Sequence, residues 1–358
     1  MNSGEKIRYI LLKYPGDTDQ VFFDQNARDN CTEPYIFLRQ KCSELGYKVE
    51  AAALQPLRDT AWLLFWDIPS VTYGMGLRGF LRRMRFSRDG RARDWIRQAK
   101  KNRVHCKMAL FLMEPPSVCP ENWESRLYEE FQIIFSWNDR IVDGVKIHKI
   151  FYPIPINVPK VQKENFSSKK LLVNISANKF SVYPHELYSA RRDVIRYSEK
   201  VMPQDFDLYG VGWDHQCTSI ANGQVMSVFH QPYTSYRGQV KNKWDVLPNY
   251  KFAISYENVS NQPGFITEKI FDCMRADCVP IYWGAPNIAD YVDPEAFIDR
   301  RKFHSNEELL EFISGIDEKQ YERYREAIHN YLNSEKFQVF LSPAFVQNII
   351  TTLDLCPL

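Results

Sequence analysis

The sequence has no marked excess of charge of either sign, since 46 Lys and Arg face 44 Asp and Glu across 358 residues. A net charge of +2 gives no overall argument for nucleic acid binding, although local charge can still matter. The sequence also has no apolar segment long enough to span a bilayer or to act as a signal peptide. We therefore expect a soluble, cytoplasmic protein.

The sequence lacks the cysteine spacing of a metal site, although it has eight cysteines. Cys273 and Cys278 flank a predicted helix-to-strand turn, and we expect them to be small buried residues. No bound metal is predicted. The cysteines are Cys31, Cys42, Cys106, Cys119, Cys217, Cys273, Cys278 and Cys356.

Short apolar runs alternate with segments of helical spacing, a pattern typical of parallel β/α units. The predicted strands are Tyr9–Leu12, Trp62–Trp66, Met108–Leu112, Ile133–Ser136, Leu171–Ser176, Asp207–Tyr209, Phe252–Ser255, Val279–Tyr282 and Phe297–Ile298. The predicted helices include Tyr35–Leu45, Trp123–Phe131, Lys319–Leu332 and Gln338–Leu353, and one that opens with a capping box at Ser305-Asn306-Glu307-Glu308. The length fits two domains joined by a linker at Phe151–Glu164.

The stretch from Tyr250 to Ala285 predicts a strand, a polar turn, an amphipathic helix and a parallel strand. The turn lies where open α/β sheets bind phosphorylated ligands. Lys269, in the first turn of the helix, suits a diphosphate, because its ammonium adds a mobile charge to the helix dipole. Glu268 can only accept hydrogen bonds, so it suits sugar hydroxyls. The alternative is that both are solvated charges of a surface helix.

Three segments in this region resemble the signature of the α-1,3-fucosyltransferase family, which transfers L-fucose from GDP-L-fucose with inversion. They are Glu257-Asn258, the run from Phe265 to Lys269, and the run from Val279 to Gly284. The motif is long and ordered, which makes it specific. Weaker similarity begins near Glu114.

The resemblance implies an α/β fold of the GT-B type, with two Rossmann-like domains facing each other across a cleft. The expected domains are residues 1–158 for the acceptor, residues 159–336 for the GDP-sugar, and a C-terminal helix, residues 337–358, that returns to the first domain. Animal relatives are Golgi enzymes with a membrane anchor. Since we expect no such anchor here, the chain resembles bacterial members.

Inverting transfer needs a base for the proton of the acceptor hydroxyl. Glu114 is the candidate, because it ends an apolar run and precedes Pro115-Pro116, which exposes it at the edge of the sheet. The family has a glutamate in the same setting. Glu121 and Glu124 are the competitors, although acidic residues are also expected there for dipole reasons.

The resemblance also implies an arginine on the diphosphate, so that no metal is required. Arg191 fits the family spacing better than Arg192, which stays open. Asn258 and Phe265 complete the expected donor pocket, and Asn178, Gly210 and Gly212 stand at strand ends where backbone can approach a ligand. Phe265 departs from the family, where tyrosine is usual, so another GDP-deoxysugar of the perosamine type remains an alternative donor.

Two further features suggest other functions. Gly74-Met75-Gly76-Leu77-Arg78-Gly79 spells a dinucleotide fingerprint, but it follows no strand directly, and we expect a mobile loop. The basic segment Arg78–Arg103 contains aromatic residues and suits an anionic lipid-linked glycan or the inner membrane surface. A solvated helical face is the plainer alternative.

The sequence thus predicts a metal-independent, inverting fucosyltransferase that uses GDP-L-fucose and an oligosaccharide or lipid-linked glycan. The expected product is α-1,3 linked to N-acetylglucosamine, in protein glycosylation or surface polysaccharide synthesis. The non-enzyme alternative is a basic binding module, and nucleic acid is not an expected partner.

Overall fold

A computed structural model describes residues 8–13, 22–52, 60–67, 107–162, 164–214, 217–221, 224–228 and 232–357. The glycine motif at 74–79 and the basic segment Arg78–Arg103 lie outside the described residues. The chain divides into two compact units. The first extends to Ile156 and resumes at Leu341, and the second covers Asn157–Phe340.

The first unit contains, among its described residues, a six-stranded parallel sheet with strand order β2-β1-β3-β4-β5-β6. Its strands are β1 (Arg8–Lys13), β2 (Tyr47–Ala51), β3 (Thr60–Trp66), β4 (Lys107–Leu112), β5 (Ile133–Ser136) and β6 (Ile147–Lys149). The four strands predicted here are all present, and β2 and β6 were not predicted from the sequence. Both are short, and β6 has no fully buried residue, so neither presents an apolar run.

Aromatic side chains fill one face of this sheet. The ring of Phe111 stacks on Trp66 at 4.0 Å and on Phe135 at 4.5 Å between centroids. Helix α1 (Glu33–Glu44) covers this face with Leu38. Because these strands are buried on both faces, they appear in the sequence as continuous apolar runs.

The predicted helix at Trp123–Phe131 is wrong. The structure has two 3₁₀ turns there, Pro120–Trp123 and Ser125–Glu130. Glu124 between them takes an extended conformation, with φ −86° and ψ 91°, so the chain cannot continue as one α-helix.

The second unit has a five-stranded parallel sheet in its described part, with order β13-β12-β11-β7-β8. Its strands are β7 (Lys170–Ile175), β8 (Phe206–Tyr209), β11 (Tyr250–Tyr256), β12 (Val279–Trp283) and β13 (Ile298–Asp299), and an antiparallel pair is formed by β9 (Cys217–Ala221) and β10 (Gln224–Val228). All five predicted strands are present. Two parallel α/β domains are thereby confirmed.

The second unit's helices include α2 (Tyr188–Val201), α3 (Glu268–Arg275) and α4 (Ile288–Tyr291). They continue with α5 (Asn306–Ser314), α6 (Glu318–Leu332) and α7 (Glu335–Gln338). Helix α3 covers one face of the sheet, where Cys273 and Cys278 lie buried as expected. None of the helices in the described ranges is long and apolar enough to cross a membrane.

The predicted capping box at Ser305 forms only by half. The Ser305 hydroxyl accepts the Glu308 amide at 3.1 Å, but the Glu308 carboxylate accepts the His304 amide instead of returning to Ser305. A complete box opens α6, where Asp317 and Gln320 bond reciprocally.

The helix predicted at Gln338–Leu353 is present as α8 (Ser342–Thr352), but it begins four residues later than predicted, because the separate helix α7 ends at Gln338. Leu341 between them is extended, and Pro343 follows in the first turn of α8. Helix α8 belongs to the first unit, where Ile349 is buried in the same core as Leu38. The Ser342 hydroxyl also donates to Glu33 at 2.9 Å.

Candidate active site

The parallel strands of the second unit all end at one edge of the sheet, and the predicted donor residues follow these ends. Asn178 follows β7, and its side-chain amide donates to the Gly212 carbonyl at 2.9 Å, so it joins the turns after β7 and β8. Gly210 is required in that turn, because a Cβ there would lie 1.9 Å from the Ser176 carbonyl oxygen.

A buried carboxylate stands at the end of β11. Glu257 has no exposed surface, and its amide extends the sheet by donating to the Trp283 carbonyl at 2.8 Å. Its Oε1 accepts the Thr267 amide at 2.8 Å, and its Oε2 accepts the Lys269 ammonium at 3.0 Å. A buried charge is tolerated when it is paired and hydrogen-bonded, and these bonds meet that need.

Thr267 links this carboxylate to the start of α3. It is the N-cap residue, but its side chain does not cap the helix, because its hydroxyl bonds both Glu257 oxygens, at 3.0 and 2.8 Å. The turn before it relies on Gly264, which has φ 81° and donates its amide to Asn287 at 3.0 Å. The helix start is therefore set by tertiary bonds.

Close packing around Glu257 also explains a glycine in the motif. A Cβ at Gly284 would lie 2.5 Å from Cγ of Glu257 and 2.4 Å from the Tyr282 hydroxyl oxygen. Any other residue there would have to displace Glu257 or Tyr282.

Lys269 is placed by the same group and remains 27 % exposed. Its ammonium also contacts the Thr267 hydroxyl at 2.9 Å and lies 3.8 Å from the Glu268 carboxylate. Burial alone would lower the pKa of Lys269, but the charges of Glu257 and Glu268 reverse this and raise its pKa. Lys269 is a cation at neutral pH.

Glu268 is 37 % exposed at the first position of α3. Burial would raise its pKa, but the positive charges of Lys269 and Lys243 outweigh burial and lower the pKa of Glu268. The site therefore presents an ionised carboxylate beside a fixed ammonium. An exposed pair of this kind can meet a ligand that carries both phosphate and hydroxyl groups.

Arg191 reaches the same strand end from α2. Its Nη2 donates to the Tyr256 carbonyl at 2.7 Å and to the Glu257 carbonyl at 3.2 Å. Burial lowers the pKa of Arg191, while Tyr188 and Glu257 act against that shift. Arg192 instead donates to the Lys179 carbonyl at 2.6 Å. Of the two candidates, Arg191 is the one at the strand end that carries Glu257.

Asn258 and Phe265 occupy the two ends of the loop that follows β11. Asn258 is half-buried, and its carbonyl accepts the Leu187 amide at 3.1 Å. Phe265 is buried, and its carbonyl accepts the Tyr282 hydroxyl at 3.4 Å. The structure thus places the Phe265 ring inside the second unit.

Glu114 lies in the first unit, two residues beyond the end of β4, and is half-buried. Its amide donates at 2.9 Å to Oδ1 of Asp67, which follows β3 directly. The competitor Glu124 is paired with Arg126, whose Nε lies 2.9 Å from its carboxylate. The side chain of Glu121 is outside what the structure describes.

Sequence reasoning missed two buried acids, Asp67 and the carboxylate function of Glu257. Asp67 accepts three hydrogen bonds on Oδ1, from the amides of Met113 and Glu114 and from the side chain of Asn122. Burial raises the pKa of Asp67 to about 6, against the lowering effect of these bonds. Its place directly after the predicted strand Trp62–Trp66 is the signal that could have identified it, and Glu257 lies two residues beyond the predicted strand Phe252–Ser255.

Comparison with known proteins agrees with this architecture. Residues 207–356 match the model of the "Glycosyltransferase family 10 (fucosyltransferase) C-term" family. An α-1,3-fucosyltransferase solved with GDP-fucose superposes with a TM-score of 0.55 at 14% identity, over 99% of this chain and 93% of that chain. An α-glucosyltransferase in complex with UDP-glucose and DNA superposes at 0.57 with 9% identity, over 97% and 99%. These likenesses define a two-domain glycosyltransferase fold of the GT-B type.

Sequence relatives lead from the fold to the family. The α-(1,3)-fucosyltransferase FucT of Helicobacter pylori is 38% identical over 77 residues, 22% of this chain and 16% of that protein. The α-(1,4)-fucosyltransferase of Arabidopsis thaliana is 38% identical over 80 residues, 22% and 20%. GDP-fucose protein O-fucosyltransferase 3 of Gallus gallus is 32% identical over 88 residues, 24% and 18%. The resemblance to the fucosyltransferase family is confirmed, and the matched segments span a fifth or less of these three relatives.

Asp67 predicts a specific pH dependence of stability. Since its pKa is about 6 in the folded protein and near 3.8 when unfolded, the folded protein binds the proton more tightly. Protonation of Asp67 therefore stabilises the folded state. This contribution to the free energy of unfolding is complete well below pH 3.8 and is lost as pH rises through 6. Relative to the wild type, Asp67→Asn should gain about 2.5 kcal/mol in the free energy of unfolding between pH 4 and pH 7.5, measured by denaturant titrations. Parallel pH profiles for the two proteins would contradict this.

The Glu257 and Lys269 pair predicts unequal costs for its two single variants. Lys269→Ala leaves a buried carboxylate without its cation and should destabilise by about 3 kcal/mol. Glu257→Gln leaves a partly exposed ammonium that water can reach, so its cost should be smaller. The double variant should be more stable than Lys269→Ala in urea unfolding. Additive losses would show that the two charges are not coupled.

Proposed function

We propose that this chain is an inverting glycosyltransferase that moves L-fucose from GDP-L-fucose to a hydroxyl group of a glycan. The observation that carries the proposal is the charged cluster at the start of α3, where Lys269 and Glu268 stand over buried Glu257. Such a strand end next to a helix start is a common phosphate site. The match of residues 207–356 to the fucosyltransferase model supports the choice of donor.

The leaving diphosphate gains negative charge as the sugar departs, and fixed cations at the site can stabilise that charge. We assign this role to Lys269, whose raised pKa keeps it charged, and to Arg191 at the same strand end. Glu268 and Asn258 are assigned to hydroxyl groups of the donor. These cations are the basis for proposing that transfer needs no metal.

We assign the base to Glu114, which would take the proton of the acceptor hydroxyl as that oxygen attacks the anomeric carbon. Its place at a strand end, with its amide bonded to Asp67, supports this choice. Glu124 forms an ion pair with Arg126 and lies between two 3₁₀ turns, not at a strand end.

The proposed linkage is α-1,3 to N-acetylglucosamine. The names of similar proteins include α-1,3-, α-1,4- and protein O-fucosyltransferases, so the acceptor class must be tested directly.

The function predicts selective binding of GDP and release of GDP on transfer. GDP should raise the melting temperature of the full chain more than UDP does, because binding to the folded state alone stabilises it. GDP-fucose with a lactosamine-type acceptor should release GDP, and linkage determination should show α-1,3 fucose. Absence of any shift with GDP would favour the binding-module alternative, and an α-1,4 or peptide-linked product would overturn the proposed acceptor.

Lys269→Ala should weaken GDP binding, measured by calorimetry well below the unfolding temperature. The matched control is the double variant Lys269→Ala with Glu257→Gln, which lacks the uncompensated buried carboxylate. It should bind GDP as weakly as Lys269→Ala although it is more stable. Recovery of GDP affinity in the double variant would show that Lys269 serves only the fold.

Glu114→Gln should abolish detectable fucose transfer and leave the dissociation constant for GDP within about twofold, because a base contributes to the chemical step by roughly 10²-fold or more. Glu124→Gln serves as the control and should transfer at nearly the wild-type rate. Loss of GDP binding in Glu114→Gln, or full activity in it, would remove Glu114 from the proposed role.

A further inference from the structure

The carboxylate of Asp67 continues the β-ladder past the point where two central strands end. Its own amide donates to the Phe111 carbonyl at 2.8 Å, as a residue of the strand would. Its side chain then accepts the next backbone amides of the neighbouring segment, those of Met113 at 2.7 Å and Glu114 at 2.9 Å. The buried residue Asp67 thus bonds three backbone groups of that segment.

These amides need a side-chain acceptor because of the local sequence. Pro115 and Pro116 follow Glu114 and have no amide hydrogen, so the chain cannot extend the strand. Buried amides without a partner cost free energy, and the Asp67 carboxylate supplies the acceptor. Asp67 itself has φ 57°, a left-handed conformation that Asp tolerates better than most residues.

Asn122 supports the backbone of Glu114 on its carbonyl side. It is fully buried, and its side-chain amide donates to Asp67 at 2.5 Å and to the Glu114 carbonyl at 3.3 Å. The indole of Trp137 donates to the Met113 carbonyl at 2.9 Å. Both polar groups of the Glu114 backbone are therefore bonded by buried side chains, while the Glu114 side chain itself is partly exposed.

We propose that Asp67, supported by Asn122, is a positioning residue that fixes the backbone of Glu114 and thereby the place of its carboxylate. This inference rests on the proposed function, in which Glu114 is the base. A general base acts only within hydrogen-bond reach of the proton, so a displacement of its backbone by about 1 Å is expected to reduce turnover by roughly a hundredfold.

The experiment compares Asp67→Ala with Asp67→Asn in the full chain. Asp67→Ala removes the acceptor and should lower kcat for fucose transfer by about a hundredfold. Its KM for GDP-fucose and its affinity for GDP should stay within about twofold, because the donor residues lie in the second unit. Asp67→Asn keeps an oxygen for both backbone amides and should retain at least about a tenth of wild-type kcat.

A core variant of the same unit separates positioning from general loss of stability. Ile349 is fully buried in the first unit, so Ile349→Ala should lower the melting temperature while kcat at 25 °C remains near wild type. Amide hydrogen exchange supplies a readout independent of turnover. The Met113 and Glu114 amides should exchange faster in Asp67→Ala and should stay protected in Asp67→Asn and Ile349→Ala.

The inference is overturned if Asp67→Ala keeps its kcat, if Asp67→Asn is as defective as Asp67→Ala, or if Ile349→Ala loses kcat equally. Failure of the proposed function has a different signature, because the wild type itself would then not transfer fucose, or Glu114→Gln would remain active. In either case the positioning role falls as well. If Glu114→Gln is inactive while Asp67→Ala is fully active, only the positioning role fails.

Discussion

Burial of the Glu257 carboxylate is the constraint on which the candidate donor site depends. A fully buried anion at a strand end has to be compensated, and both residues that compensate it belong to the start of the next helix. Thr267 therefore gives its hydroxyl to Glu257 instead of capping α3. The Lys269 ammonium bonds both the Glu257 carboxylate and the Thr267 hydroxyl. The exposed face of Lys269 is the part that remains for a ligand. The position of the Lys269 ammonium is therefore set by its bond to the buried Glu257 carboxylate.

Both units have a buried acid at the end of a central strand, and in both it bonds the residue proposed to act. In each, a buried acid follows directly after an aromatic residue that ends a central strand, Trp66-Asp67 in one and Tyr256-Glu257 in the other. Each acid donates its own amide to the neighbouring strand, but the carboxylates differ: Asp67 accepts two amides that follow that neighbouring strand, and Glu257 accepts the Thr267 amide at the end of its own loop. Only Asp67 therefore replaces the next rung of the sheet, while each carboxylate bonds the residue expected to act, Glu114 or Lys269. Loops positioned by a rigid scaffold are where functional residues are usually found.

Sequence patterns were sufficient for the central strands and for α3, because strands buried on both faces appear as apolar runs and the helix has one apolar side. They failed at β2, whose five residues alternate between apolar and polar and form no apolar run, and at the 3₁₀ turns around Glu124, which carry no sustained period. Lys269 was predicted because its residue type suits a diphosphate, and Arg191 because it fits the spacing of the resembled family. The positions of Glu257 and Asp67 at strand ends are visible in the sequence, but their burial is not, since the burial of a carboxylate depends on donors that other segments bring to it.

The directions of the pKa shifts distinguish Asp67 in the first unit from Glu268 and Lys269 in the second. In the second unit the pKa of Lys269 is raised and that of Glu268 is lowered, so both remain ionised through the neutral and weakly acidic range. In the first unit burial raises the pKa of Asp67 to about 6, so Asp67 changes charge within that range. Because Asp67 bonds the amide of Glu114, protonation alters the support of the proposed base while the charges proposed to bind the donor stay constant. A loss of turnover between pH 7 and pH 5 that occurs in the wild type at constant GDP affinity, and is absent from Asp67→Asn, would therefore originate at Asp67.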